Sequence, residues 1–144
     1  AVRCGGGENH RFGLFDEAMI KENHVALAGK PLAQALVDLR STVGAETRIT
    51  CEAETEDEAL AAIEGGADVV LLDNFEPADL GSVCQRLRTF AGEAGRRVEL
   101  EASGGITLQT AAAFAASGVD RLSVGALTHS APALDLSLLL ECAP

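Results

Sequence analysis

Charged side chains and glycines recur in this chain where apolar, β-prone runs stop. Lys21 ends the run Glu17-Ala18-Met19-Ile20-Lys21, and Glu54 follows Arg48 to Ala53. Asp73-Asn74 follows Asp68 to Leu72, Glu101 leads into Ser103-Gly104-Gly105, and Gly125-Ala126 follows Arg121 to Val124. These residue types point to anion chemistry. Glu54 and Asp73 offer hard oxygen ligands suited to Mg²⁺ held jointly with substrate phosphates. Ser103-Gly104-Gly105 and Gly125 let backbone N–H groups approach an anion, and a helix opening at Thr107 adds its dipole. Cys4-Gly5-Gly6-Gly7-Glu8-Asn9-His10-Arg11 is a glycine-rich loop, but no Gly-Lys-Ser/Thr follows it, so it is not the phosphate loop of NTPases. With Lys21, its His10 and Arg11 give three cation-capable groups, which suit a substrate bearing carboxylates and phosphates. His24 and His129 are placed in loops after strands.

The elements that position these groups alternate in type. Strand-like runs begin near residues 17, 48, 68, 98 and 121. Between them, Leu32, Leu36, Leu39 and Val43 share one helical face, as do Leu80, Val83, Cys84, Leu87 and Phe90. Thr55-Glu56-Asp57-Glu58 reads as a capping box, Gly65-Gly66 stops that helix, and Pro77 fits the first turn of the next. Thr107 to Ser117 reads as a helix, and Leu134 to Leu140 as either a strand or a short helix. Strand and helix in this cadence predict an α/β fold with parallel strands, a β/α barrel or a doubly wound sheet. In either, strand C-termini share one rim, where active sites are built. Five occupied strand ends favour an enzyme.

Composition sets the outer bounds. The chain has 144 residues with 47% hydrophobic content, enough for one domain with a core and too short for two ordinary ones. No apolar run reaches the roughly 18 residues of a membrane span. A net charge of −11 argues against a nucleic-acid binder that works through a basic face. Only Lys21 and Lys30 are lysines among 11 basic residues, and Glu46 to Asp79 holds 11 of the 22 acids. That window reads as a solvated acidic surface, with metal binding as the alternative. Cys4, Cys51, Cys84 and Cys142 have no paired spacing, so they are read as reduced thiols of a cytoplasmic protein. Ala1 in first position, with no leader motif after it, gives the expectation of a piece of a longer protein.

Taken together, Cys-Gly-Gly-Gly-x-Asn-His-Arg (4–11), Ile-Lys-Glu-Asn-His (20–24), Leu-Leu-Asp-Asn (71–74), Glu-Ala-Ser-Gly-Gly-Ile (101–106) and Ser-Val-Gly-Ala-Leu-Thr-His-Ser (123–130) resemble the quinolinate phosphoribosyltransferase family. The resemblance implies a partial parallel β/α barrel over residues 1–144, without the family's N-terminal α/β domain and upstream basic stretch. It implies conversion of quinolinate and phosphoribosyl pyrophosphate to nicotinate mononucleotide, pyrophosphate and CO₂ with Mg²⁺, by a homodimer or higher homo-oligomer. By position it assigns His10, Arg11 and Lys21 to the quinolinate carboxylates, and Glu54 and Asp73 to the ribose and metal. Ser103, Gly104 and Gly125 are assigned to phosphate, with His129 nearby; Lys21, Glu54 and Asp73 form the catalytic set. Glu22, Ala53 and Ala102 depart from the family's usual residues. A related barrel paralogue, or a non-catalytic fragment that needs a partner segment, is the alternative reading.

Overall fold

Hydrophobic alternation resolves into five parallel strands. The computed structural model describes residues 1–141. The strands are β1 (Glu17–Ile20), β2 (Arg48–Ala53), β3 (Val69–Asp73), β4 (Glu99–Ser103) and β5 (Arg121–Leu122). They pair in chain order, each parallel to the next, leaving β1 and β5 as the two edges of a single sheet. The arrangement is a partial, unclosed β/α barrel.

Among the described residues six α-helices connect and follow the strands: α1 (Glu22–Ala28), α2 (Leu32–Val43), α3 (Glu56–Gly65), α4 (Pro77–Glu93), α5 (Ala111–Ala116) and α6 (Ala126–His129). Leu36 of α2, Ala59, Ala62 and Ile63 of α3, and Leu80, Val83, Cys84 and Leu87 of α4 are buried against one face of the sheet. That face presents Ile49, Cys51, Val70, Leu72, Leu100 and Ala102, every second residue of their strands, as the pleat requires. Two aspartates anchor the amino ends of the strands by one shared device. Asp68 Oδ2 accepts from the Ile49 N–H (2.8 Å) and from Arg40, while Asp120 Oδ2 accepts from the Leu100 N–H (2.8 Å) and from Arg88.

Several local expectations are corrected. His24 is not in a loop: it is in α1, where its Nδ1 accepts from the Lys21 N–H (3.0 Å) and tightens the turn after β1. His129 closes α6. The Thr55 hydroxyl caps α3 by accepting from the Glu58 N–H, but the Glu58 carboxylate reaches one residue further back, to the Glu54 N–H (2.8 Å). Glu54 lies just past the end of β2, so it is the donor that lacks a ladder partner. The helix expected from Thr107 begins only at Ala111. Thr107 and Thr110 hydrogen-bond each other's backbone N–H through their side chains, and the local turn wins over helix. Leu134 to Leu140 forms neither strand nor helix, and its leucines are exposed. Cys4, Cys51 and Cys84 are free thiols; Cys142 is outside the described residues.

Candidate active site

The face of the sheet away from the helices is polar, and strand register sorts it into levels. Leu71 pairs with Glu101 and Glu101 with Arg121. One step past the Ile20–Cys51 pair, Lys21 and Glu52 join the same level, and the Lys21 ammonium binds the Glu52 carboxylate. The next level up is the rim. There Asp73 pairs with Ser103, flanked by Glu54 after β2 and Ser123 after β5. Parallel pairing therefore puts Lys21, Glu54, Asp73 and Ser103 on one face at one end of the sheet.

The turns that follow β3 and β4 fix the rim. Asn74 has φ +59°, its N–H donates to the Ser103 carbonyl (3.0 Å), and its side-chain amide donates to Asp73 Oδ2 (2.7 Å). Gly104 has φ +97°, and a Cβ there would lie 2.3 Å from Asn74 Oδ1 and 2.8 Å from Asn74 N. Glycine is needed here because two turns meet backbone to backbone.

His10 comes to the same face from the N-terminal loop. Its Nε2 lies 3.0 Å from Glu101 Oε1, which also accepts from the Ser123 hydroxyl at 2.6 Å. Glu101 is almost sealed, at 2% exposure, while His10 is 31% exposed. A cleft of about 610 Å³ opens there, lined by Asn9, His10, Arg11, Glu101, Ser123 and Gly125 among others. The His129 ring packs over Gly125, where a Cβ would come within 3.2 Å of Nε2, and its Nδ1 is 2.7 Å from the Ser130 hydroxyl.

The predicted residues thus fall into two groups on one rim. His10, Arg11 and Gly125, with His129 against Gly125, surround the cleft. Lys21, Glu54, Asp73, Ser103 and Gly104 lie along the ends of β1 to β4, outside its lining. Glu52 and Glu101 were missed as site residues. The signal was present, since acids at every second position, as in Glu99-Leu100-Glu101, mark a strand with one polar face.

A match to the description "Quinolinate phosphoribosyl transferase, C-terminal domain" extends over residues 1–139. The chain belongs to this family. It is 45% identical over 138 residues to a probable nicotinate-nucleotide pyrophosphorylase [carboxylating] of Bacillus subtilis, covering 96% of this chain and 45% of that protein. It is 40% identical over 136 residues to the nicotinate-nucleotide pyrophosphorylase [carboxylating] of Rattus norvegicus, covering 94% and 44%. The solved nicotinate-nucleotide pyrophosphorylase of Francisella tularensis superposes with a TM-score of 0.81 at 41% identity, over 94% of this chain and 45% of that one. The quinolinate phosphoribosyltransferase C-terminal domain therefore spans somewhat under half the length of the relatives it matches.

Among the described residues no group of three or more His, Cys, Asp or Glu side chains is arranged to hold a metal. Two carboxylates on one level, Glu54 and Asp73, do suit Mg²⁺, which keeps several waters and takes one or two carboxylates plus phosphate oxygens. Asp73 has one oxygen engaged by Asn74 and the other without a protein partner among the described residues.

Proposed function

We propose that this domain, within a protein of the family's full length, transfers the phosphoribosyl group of phosphoribosyl pyrophosphate to quinolinate, with loss of CO₂, to give nicotinate mononucleotide and pyrophosphate. The observation that carries this reading is the shared polar face: Lys21 at the end of β1 and His10-Arg11 from the N-terminal loop lie on the same side of the sheet as Asp73, Glu54 and the Ser103-Gly104 turn. A dicarboxylate and a phosphorylated sugar need those two kinds of group side by side.

In this reading His10, Arg11 and Lys21 neutralise and orient the two carboxylates, which sets the ring nitrogen toward the anomeric carbon. Asp73 and Glu54 face the ribose, where positive charge builds as pyrophosphate departs, and a fixed carboxylate there stabilises that charge. Backbone N–H groups of Ser103-Gly104 and Gly125 hold phosphate. Glu54 and Asp73 are the residues that would hold Mg²⁺, whose contribution when bound is to neutralise charge on the leaving pyrophosphate. Once the ring nitrogen is quaternised, the carbon–carbon bond to the adjacent carboxylate breaks and CO₂ leaves; the bonding pair stays on the ring carbon, stabilised by the neighbouring positive nitrogen, until a proton from solvent takes the place of the lost group.

Exposed Phe12, Leu14 and Phe15 support assembly into a homo-oligomer, and the free thiols Cys4, Cys51 and Cys84 support a reducing, cytoplasmic setting. Among the described residues no helix is long and apolar enough to cross a membrane.

The test is calorimetric titration of the full-length protein. Lys21→Met is expected to weaken quinolinate by roughly 1.5–3 kcal/mol, the worth of a hydrogen bond to a charged group, with phosphoribosyl pyrophosphate affinity nearly unchanged. Nicotinate, which has one carboxylate, should bind far more weakly than quinolinate. Equal affinity for the two, or parental quinolinate affinity in Lys21→Met, overturns the reading.

A further inference from the structure

Glu101 is a buried acid on the polar face, yet the reaction above gives it no task. Its Oε1 takes the Ser123 hydroxyl at 2.6 Å and faces His10 Nε2 at 3.0 Å. Its Oε2 is buried without a hydrogen-bond partner among the described residues, with Arg121 Nη1 4.0 Å away. Arg121 is turned to Glu99 instead, at 2.7 Å, and Glu99 also holds Arg48 at 2.6 Å. The partly exposed side chain within hydrogen-bond distance of Glu101 at the wall of the cleft is therefore His10.

We infer that Glu101 is the positioning residue for His10: it fixes the proton on Nε2, so that Nδ1 is the ring atom left to meet the substrate carboxylate. A bare nitrogen lone pair 3.0 Å from a carboxylate oxygen is repulsive, and Ser123 already donates to that oxygen, so the proton between Nε2 and Oε1 belongs to the imidazole. By the same repulsion a substrate carboxylate is held at Nδ1 only by the doubly protonated ring, for which the Glu101 carboxylate supplies the counter-charge when quinolinate binds. No described hydrogen bond uses Nδ1 of His10. Arg121 and the Lys21–Glu52 pair are the other charged groups at this level, and neither is bonded to His10.

The inference rests on the proposed quinolinate site, and two measurements separate its failure from that of the site. The first is the ¹⁵N imidazole spectrum of the full-length protein, with the His10 signal assigned by its loss in His10→Ala. We expect the Nε2–H form, or the doubly protonated ring, in the parent, and a shifted tautomer balance in Glu101→Gln. An Nδ1–H ring in the parent overturns the inference, with no variant needed to fold. The second is a double-mutant cycle read by quinolinate titration. Glu101→Gln should weaken quinolinate roughly ten- to hundredfold and leave phosphoribosyl pyrophosphate within about twofold, yet change little in a His10→Ala background. The same loss in both backgrounds means that Glu101 does not act through His10, and overturns the inference. If the parent binds no quinolinate, the functional reading fails and the role of Glu101 in substrate binding falls with it, while the spectrum still decides whether Glu101 orients His10.

Discussion

One residue apart on the same strands, the sheet changes chemistry, except on β3, where Val69 and Leu71 keep both faces apolar. On the helix-covered face Ile49, Cys51, Val70, Leu72 and Leu100 are sealed at 0% exposure, and every one is apolar or a thiol. Burial pushes the Cys51 thiol up to about 12, so it behaves there as a small hydrophobe. The opposite face carries Glu17, Arg48, Thr50, Glu52, Glu99, Glu101 and Arg121. The four buried side-chain polar atoms without a hydrogen-bond partner among the described residues are Glu17 Oε1, Arg48 Nε, Thr50 Oγ1 and Glu101 Oε2, and all lie on this polar face. Buried charge is weak evidence for stability, and orphaned buried atoms cost free energy. The covered face accounts for the fold, whereas the polar face carries buried charges that stability alone does not explain.

Breaking the covered face should have the largest effect. Leu100→Ala removes a fully buried side chain between β4 and the helices and leaves a cavity. We expect a loss of about 2–5 kcal/mol in urea unfolding, on the scale of other buried leucines. A loss under about 1 kcal/mol would mean that the two faces do not differ as described.

The rim turns come next. Gly104→Ala places a methyl group against the Asn74 backbone at a φ that side chains rarely adopt. We expect about 1–3 kcal/mol of destabilisation from strain and overpacking. Displacing Asn74 should also release Asp73, so phosphoribosyl pyrophosphate affinity should fall while quinolinate affinity changes less. An unaltered rim in Gly104→Ala would show that the glycine is there for reasons other than this contact.

Much of this arrangement is legible in the sequence because strands and helices bury different periods. Runs such as Val69 to Leu72 and the stripe Leu80, Val83, Cys84, Leu87 have one physical solution each, and β1 to β5 were readable to within a few residues. Strand-end polarity then follows from parallel pairing, which is why Lys21, Asp73 and Ser103 stand out in the sequence alone. What escaped was decided by partners far away in sequence. Glu52 looks like any acid in an acidic window until Lys21, 31 residues earlier, is seen to bind it. Glu101 reads in the sequence only as a strand-end acid before the Ser103-Gly104-Gly105 turn, until His10 and Ser123 are seen to close over it. The missed α1 and the shortened α5 turn on side-chain caps, His24 in one and the Thr107–Thr110 pair in the other, which compete locally with the backbone and leave little periodic trace.

A smaller change sharpens the contrast in the other direction. Thr50 is fully buried on the polar face, and its hydroxyl has no partner among the described residues. Thr50→Val keeps the shape and removes the orphan. On the covered face nearly any change should destabilise, but here we expect unfolding free energy to stay level or rise by up to about 1 kcal/mol. A clear loss in Thr50→Val would mean that the hydroxyl is satisfied in solution.

The smallest effect lies outside both faces, at the surface pair between α3 and α4. Arg86 donates to both Glu56 oxygens, at 2.6 and 2.7 Å, and holds the Glu56 carboxyl below its ordinary 4.5. Lys30 and Gln34 do the same for Asp38 within α2 and the turn before it. A carboxyl whose folded value is depressed binds its proton more weakly in the native state than in the unfolded chain. Its stabilisation is therefore complete above pH 4.5 and disappears as pH falls through the lower, folded value. Both pairs are exposed to water, which screens them, so the Glu56–Arg86 contribution should be the smallest of these effects. Glu56→Gln is expected to lower stability slightly at pH 7, and its gap to the parent should narrow steadily below pH 4.5. High salt should shrink the gap at neutral pH as well. A gap that widens in acid, or one that exceeds the Leu100→Ala loss, would place the fold's main support on its charged surface rather than on the sealed face of the sheet.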